Sequence, residues 1–317
     1  MEVYRTKNGQ VAKYVHDDGS ETAIKTTPPG EVGCGGYGNI GNKYNIFISS
    51  SVGCPVGCKF CYLTVKKCPY HRLSAEAIAL NVVEALNSEL TVRPELRQMY
   101  TKLSWMGMGD GFLDTELVYN ATEDIASYIQ GFDMSLGIDG VDIATTLPKI
   151  PTTEIDYIKA LSNSVWAMHL NPKRNYVKGT DRQPFRIFYS VHSAFEGTRK
   201  ELIPHTVDVY SAIQYFKELE QQGITVILHH MFFDGVNDSD IDITYLLGLL
   251  DVFDNIELRL LRFNKCDGTT FTESKNFDSI IDTLYEKHKN IKVQISPGAE
   301  IAASCGMFLL SKFKDSF

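Results

Sequence analysis

No run of apolar residues in the 317-residue chain approaches the roughly 18 that a membrane-crossing helix needs. The start, Met1-Glu2-Val3-Tyr4-Arg5-Thr6, also lacks the apolar segment of a signal peptide. These two absences predict a protein with no membrane partner and a cytoplasmic location. Positive charge is in short supply as well: 31 Lys and Arg stand against 39 Asp and Glu, a net charge of -8. A protein that holds nucleic acid over its whole surface needs the opposite balance, because phosphate binding rests on Lys and Arg displacing counterions. Any RNA contact would have to come from a local basic patch. The glycine-rich stretch from Gly30 to Gly41 lacks a Gly-Lys-Ser/Thr ending and a strand-to-helix frame, which excludes a phosphate loop. That stretch reads instead as a loop or lid, and it carries Cys34.

Seven cysteines, an odd number, sit in a chain long enough to bury a core without staples. Reduced thiols in a reducing compartment follow. Three of the seven fall within one short loop, Ser49-Ser50-Ser51-Val52-Gly53-Cys54-Pro55-Val56-Gly57-Cys58-Lys59-Phe60-Cys61-Tyr62. Thiolates bind soft iron, and spacings this short let one loop wrap one face of a cluster. Three ligands on a four-iron cluster leave one iron open to a small molecule. A zinc loop would pair Cys-x2-Cys with a second Cys or His pair at a distance. Cys68 and Cys266 read as packed or loop thiols.

From residue 45 onward, strand and helix patterns alternate. Strands are expected at Asn45 to Ser49, Lys102 to Gly107, Gly140 to Thr145, Arg186 to Val191, Ile224 to Met231 and Ile256 to Leu261. Helices are expected near 74–89, 114–131, 152–162, 206–222, 238–253 and 276–288, the first capped by Ser74. Six such units imply a parallel sheet too short to close, an open TIM-like (β/α)6 partial barrel with a late extra strand at Ile291 to Ser296. Residues 1–45 form a separate β-rich extension with a hairpin turn at Asn8-Gly9, and 46–317 form the core. In such folds the loops after the C-terminal strand ends carry the chemistry, and the cysteine loop follows the first strand. Trp105-Met106-Gly107-Met108-Gly109-Asp110-Gly111 follows the second, with glycines that allow close backbone approach and a carboxylate that can receive an ammonium group. His229 and His230 lie on one strand and face opposite ways, so they do not share a metal. The stretch Leu170 to Arg186 carries five basic residues against one acid and is either a solvated loop or a phosphate-contacting element.

Cys54-x3-Cys58-x2-Cys61, with Phe60 before the last cysteine, resembles the signature of the radical S-adenosylmethionine (SAM) superfamily. The resemblance implies a 4Fe-4S cluster on Cys54, Cys58 and Cys61 whose open iron chelates SAM and cleaves it to a 5'-deoxyadenosyl radical. It also implies a reducing partner such as flavodoxin or ferredoxin.

Further stretches resemble the RlmN/Cfr-type dual-cysteine methyltransferases of adenine carbons in RNA. Among them are Met106-Gly107-Met108-Gly109-Asp110, Phe188-Tyr189-Ser190-Val191-His192, Arg199 to Pro204, Gly235-Val236-Asn237-Asp238, Leu260 to Asn264 and Ile301 to Gly306. The resemblance implies SAM contacts from Phe60, Gly107, Met108, Gly109, Asp110, Thr145, Ser190, His192 and Asn264. It further implies that Cys305 carries the methyl group onto an sp2 carbon that ordinary methyl transfer cannot reach. Two departures stand out. The second catalytic cysteine of that family falls at Phe47 here, leaving Cys34 as the candidate substitute. The helical RNA-binding domain at the family's N-terminus is replaced by the short β-rich extension. Both departures favour an alternative, a radical SAM enzyme that abstracts hydrogen from a small molecule or peptide without methyl transfer. A cluster-bearing binding protein without catalysis is the third possibility.

Overall fold

The computed structural model describes residues 1–27, 43–133, 136–149, 155–169, 183–254, 256–304 and 306–308. Twelve strands are seen among them: β1 (Glu2–Arg5), β2 (Val11–Val15), β3 (Glu21–Thr27), β4 (Lys43–Ile48), β5 (Ser51–Val52), β6 (His71–Arg72), β7 (Tyr100–Trp105), β8 (Gly140–Thr145), β9 (Phe185–Ser190), β10 (Thr225–His230), β11 (Glu257–Leu261) and β12 (Ile291–Gln294). The α-helices are α1 (Tyr62–Val65), α2 (Ala75–Val92), α3 (Thr115–Phe132), α4 (Ile155–His169), α5 (Glu196–Leu202), α6 (Val209–Gln221), α7 (Asp240–Leu250) and α8 (Phe277–Lys287). Among the described residues no helix is long and apolar enough to cross a membrane.

Ten strands form one sheet in the order β1-β2-β3-β4-β7-β8-β9-β10-β11-β12, and among the described residues its two ends do not pair, so the barrel is open. The seven strands from β4 onward run parallel. They match the six expected strands plus the late extra one, with ends shifted by a residue or two. Side-chain alternation puts Ile187 and Tyr189 of β9 in the main apolar core beneath the helices. The other face of the same strands is charged. Asp142 of β8 accepts from Arg186 Nε at 2.8 Å, Arg186 Nη2 at 2.6 Å and Lys102 Nζ at 2.7 Å. Parallel strands placed side by side let β7, β8 and β9 neutralise each other's charges inside the barrel.

The expected hairpin is β1-β2, paired from Glu2↔Val15 to Arg5↔Ala12 around Gly9 in a positive-φ turn. β3 joins as a third antiparallel strand and pairs with β4, so the extension continues the barrel sheet. It is pinned to α2 at Glu89, which binds Arg5, Arg93 and Tyr14 and is fully buried. Helix starts follow ordinary capping: Ser74 accepts from Ala77 N at 3.1 Å, and Asp114 accepts from Leu117 N at 3.0 Å. The basic residues Lys173, Arg174, Lys178 and Arg182 lie outside the described residues.

Candidate active site

The three thiols come from the loop that leaves β4. Gly53 has φ +66°, and a Cβ there would sit 2.3 Å from the Pro69 carbonyl oxygen, so only glycine turns the chain into Cys54. Cys61 N donates to Cys58 O at 3.0 Å and Lys59 N to Leu202 O at 2.9 Å. Tyr62 N donates to Gly306 O at 2.9 Å, which ties the start of α1 to the C-terminal segment. Phe60 is buried and packs edge-on against His192 with ring centroids 5.1 Å apart, and also against Phe233. It wedges the loop in place and lines the same cleft as the thiols.

The turn after β7 lies against that loop. Gly107 N donates to Ile48 O at 3.0 Å, and a Cβ on Gly107 would meet Ile48 backbone at 2.8 Å. Gly109 has φ +91°, and its Cβ would overlap Ser50 Oγ at 2.3 Å. The two glycines thus allow the turn and the serine stretch to touch. Ser49 Oγ accepts from Met108 N at 3.1 Å and donates to Glu21 O at 2.6 Å, joining β3, β4 and the turn in one polar knot. Asp110 accepts from Phe112 N at 2.9 Å, Thr146 N at 2.7 Å and Thr146 Oγ1 at 2.8 Å. Burial pushes its carboxyl up despite those donors.

The far wall comes from the ends of β8, β9 and β10. Thr145 Oγ1 accepts from Leu147 N at 2.8 Å and Ser190 lies at the end of β9. His192 sits at φ +50° with its Nδ1 accepting from Met231 N at 3.2 Å. That bond places the ring proton on Nε2. Burial, reinforced by His230 and Arg199, holds His192 well below its ordinary range and therefore neutral.

These walls enclose one cleft with about 1010 Å³ of empty volume, its open mouth included. Cys54, Cys58 and Cys61 line it together with Phe60, Gly107, Gly109, Asp110, Thr145, Ser190 and His192. Met108 is instead buried in an apolar cluster with Phe47 and Leu63. Asn264 follows β11, is half-buried, and lies outside the cleft lining. Cys34 and Cys305 fall outside the described residues. Cys68 and Cys266 pack in the apolar cluster behind the loop, as expected of structural thiols. His229 faces the cleft while His230 packs on Phe232 on the other side of the strand, the split that strand alternation predicts.

The thiol set fits an iron cluster. Burial pushes the Cys58 thiol far up, and the nearby Cys54 and Cys61 push it further; burial and then Asp110 do the same to Cys54. Three thiols that repel one another's charge across one cleft are a donor set that needs a polycationic partner to become thiolates. Among the described residues no group of three His, Cys, Asp or Glu side chains converges on a single metal ion.

Two residues to which the sequence assigned no individual role hold the strand ends together. Arg199 Nη1 donates to Ser190 O at 3.0 Å and to Val191 O, and its Nη2 donates to Thr146 O at 2.9 Å. Asn237 Nδ2 donates to His192 O at 2.5 Å and to Met231 O at 2.8 Å. Both sit in stretches that carried the family resemblance, which was the available signal.

An open parallel barrel whose first strand feeds a three-thiol loop, opposite a Gly-x-Gly-Asp turn, is the architecture of a radical SAM enzyme. No family model matches the chain. It is similar to the probable dual-specificity RNA methyltransferase RlmN of Chlorobium phaeobacteroides (strain BS1), 25% identical over 281 residues that cover 86% of this chain and 68% of that protein. The dual-specificity RNA methyltransferase RlmN of Wolinella succinogenes is 26% identical over 277 residues, covering 84% of this chain and 67% of that one. The chain thus spans about two thirds of the length of these relatives. Among solved structures, a radical SAM methyltransferase from Sphaerobacter thermophilus shares the fold with a TM-score of 0.69 at 20% identity, covering 97% of this chain and 80% of that one. SuiB of Streptococcus suis bound to S-adenosylmethionine does so with a TM-score of 0.50 at 12% identity, covering 81% of this chain and 51% of that one. The chain is an RlmN-like radical SAM enzyme, with SAM and a 4Fe-4S cluster as its cofactors.

Proposed function

We propose that this enzyme adds a methyl-derived carbon to an sp2 carbon of adenine in RNA, with Cys305 as the carrier, in the cytoplasm and with a small reducing protein such as flavodoxin or ferredoxin as electron donor. The observation that carries the reading is the convergence of Cys54, Cys58 and Cys61 on the cleft that also holds the Gly107–Asp110 turn. The names of the relatives, RNA methyltransferases all, support the substrate class. In this reading Cys54, Cys58 and Cys61 hold the cluster. When bound, cluster and SAM together supply a reductive break of the sulfonium carbon–sulfur bond.

The protein's own residues do the rest. Asp110 places a buried negative charge beside the position for the cofactor's ammonium group, and the Gly107–Gly109 backbone keeps that position open. His192 presents an Nε2–H donor whose direction is set by the Met231 amide. Arg199 and Asn237 keep the β8, β9 and β10 ends in register, so that Thr145 and Ser190 stay at the cleft rim. Gly306, one residue after Cys305, is a cleft-lining residue whose carbonyl is held by Tyr62 N, which supports a carrier thiol arriving at the site.

Phe47 favours the second reading. Its ring lines the cleft at the position where the family has its second cysteine, with Lys25 Nζ 4.3 Å from its centroid. With no thiol there, hydrogen abstraction from a small molecule or peptide, without methyl transfer, is the alternative chemistry. The experiment is anaerobic reconstitution with dithionite, SAM and unmethylated RNA, followed by mass spectrometry of the nucleosides and of the Cys305 peptide. Methyladenosine with S-methylcysteine at residue 305 and two SAM consumed per product are expected. Substrate-dependent 5'-deoxyadenosine with no methyl incorporation contradicts the methyltransferase reading and supports the second.

A further inference from the structure

This acidic chain gathers unmatched positive charge around the thiol loop. Between Glu31 and Glu76 the sequence holds Lys43, Lys59, Lys66, Lys67 and Arg72 and no Asp or Glu at all. Lys59 lies between Cys58 and Cys61, Lys66 caps the C-terminal end of α1, and Lys67 follows it. Lys59 and Lys67 are exposed. Lys67 has φ +51°, a left-handed backbone that glycine adopts freely and other residues adopt at a cost. A lysine kept at such a position has a use for its side chain.

Neighbouring segments widen the patch. β6 pairs with β5 through Val52↔His71 and Ser51↔Arg72, which lays exposed Tyr70 and His71 beside the loop. The stretch from Lys265 to Gly268 packs on α1, a Cβ on Gly268 coming within 3.1 Å of Val65, and adds the exposed Lys265. Asp114 already matches Arg72, and Asp267 acts on Tyr62 from the same stretch as Lys265. Lys59, Lys66, Lys67 and Lys265 have no ion pair among the described residues. Lys66 rests instead over the Tyr62 ring, 5.4 Å from its centroid.

Unmatched cations call for an anionic partner, and position separates the candidates. Lys59, Lys66, Lys67 and Tyr70 stand outside the cleft lining, and the cleft is where a base of RNA would have to enter. Five helical steps separate Lys66 from Cys61, roughly 8 Å along the axis of α1. Electron transfer weakens steeply with distance, so a protein that reduces this site has to dock that close to the ligand thiols. We infer that the surface formed by α1, Lys67 and β6 is the docking face for a small acidic electron-carrier protein, with Lys66 and Lys67 facing its carboxylates and Tyr70 as an apolar contact. This inference rests on the proposed use of a reducing protein and adds the place where it binds. Each encounter passes one electron, the carrier leaving oxidised by one equivalent, and the reductive break of SAM consumes it. Such encounters bury little area and rely on complementary charge for their rate.

The test uses reconstituted holoenzyme and a purified acidic flavodoxin as the probe. Calorimetric titration with oxidised flavodoxin is expected to show binding that weakens at least about tenfold between about 20 and about 200 mM NaCl. Charge reversal in K66E/K67E is expected to weaken it about tenfold at the lower salt, while iron content and the dithionite-driven rate of 5'-deoxyadenosine formation stay at wild-type levels. Carbodiimide cross-linking of the two unaltered proteins is expected to join flavodoxin carboxylates to Lys66 or Lys67 on peptide mapping; this arm decides the matter if K66E/K67E does not fold. No binding at the lower salt, K66E/K67E that binds as tightly as wild type, or cross-links confined to lysines elsewhere overturns the inference. RNA affinity lost in K66E/K67E with flavodoxin affinity kept assigns the surface to nucleic acid and overturns it too. Flavodoxin binding that depends on Lys66 and Lys67, in an enzyme that methylates no RNA, overturns the methyltransferase reading alone. Methylated RNA under dithionite, with flavodoxin binding independent of these lysines, overturns the inference alone.

Discussion

At the scale of single residues, the site is decided by what three thiols and two glycines cannot share with any other side chain. A serine at position 58 keeps the loop's shape but replaces a soft donor with a hard one. Cys58→Ser is therefore expected to fold and to lose the bound iron and its visible absorbance, measured by iron analysis after anaerobic reconstitution. Full iron content in that variant would contradict the ligand assignment. Gly107→Ala is expected to destabilise the protein by about 2 kcal/mol, because the added methyl meets the Ile48 backbone and backbone yields little. Urea unfolding measures it, and a change below about 0.5 kcal/mol would show that the turn and the serine stretch are not in contact. The cysteine spacing made the three candidate ligands legible in the sequence, since all of them lie in one loop. The reason for the glycines was not legible, because the atoms they make room for lie far off in the chain, at the end of β4 and 59 residues away in the case of Gly107 and Ile48.

At the scale of the element, the barrel strands carry apolar residues outward and charge inward. Arg186, Lys102 and Asp142 belong to three neighbouring strands and share one buried cluster. Burial alone would raise the Asp142 carboxyl, but the Arg186 and Lys102 charges overcome it and hold the group below the ordinary carboxylate range. A group depressed in the folded state contributes stability above its unfolded pKa of about 3.9 and loses it as pH falls from there toward the folded value. Asp142→Asn is expected to cost about 3 kcal/mol at neutral pH, because it removes the negative charge that Arg186 and Lys102 share. The gap between variant and wild type should narrow below about pH 4. Urea unfolding at several pH values checks it, and a gap that does not change with pH would contradict ion pairing of Asp142 as the cause. Strand positions were readable from their apolar alternation, and Gly140–Thr145 was placed with both ends correct. The inward charges were not readable. Lys102 and Arg186 look like solvent-facing positions until the parallel register supplies Asp142 as their partner. β3 escaped for the same reason, since its Glu21 and Lys25 are buried, Glu21 in an ion pair with Lys13.

At the scale of the whole molecule, the antiparallel extension and the C-terminal segment meet beside the open side of the barrel. Lys13 Nζ of β2 donates to Ala302 O at 2.7 Å, and Lys25 Nζ of β3 donates to Pro297 O at 3.1 Å. Gly298, at φ +98°, sits within about a methyl's reach of Val11, so the two segments pack as well as bond. Lys13→Ala is expected to destabilise the fold by about 3 kcal/mol by removing the buried cation that pairs with Glu21 and caps Ala302. It should also raise amide exchange across 298–304, the stretch that leads to Cys305, which hydrogen–deuterium exchange reads directly. Unchanged protection there would contradict the seam as the support for that segment. Sequence separation of 289 residues between Lys13 and Ala302 explains why no local pattern announced this contact.

The loop from Cys54 to Cys61 is expected to anchor a cluster with one position left for SAM. Electron paramagnetic resonance of the reduced, reconstituted enzyme, recorded before and after SAM is added, tests it most directly. A spectrum that shifts on SAM addition, and that is absent in Cys58→Ser, is predicted. A reduced wild-type cluster whose spectrum is identical with and without SAM would show that the cluster has no iron open to SAM.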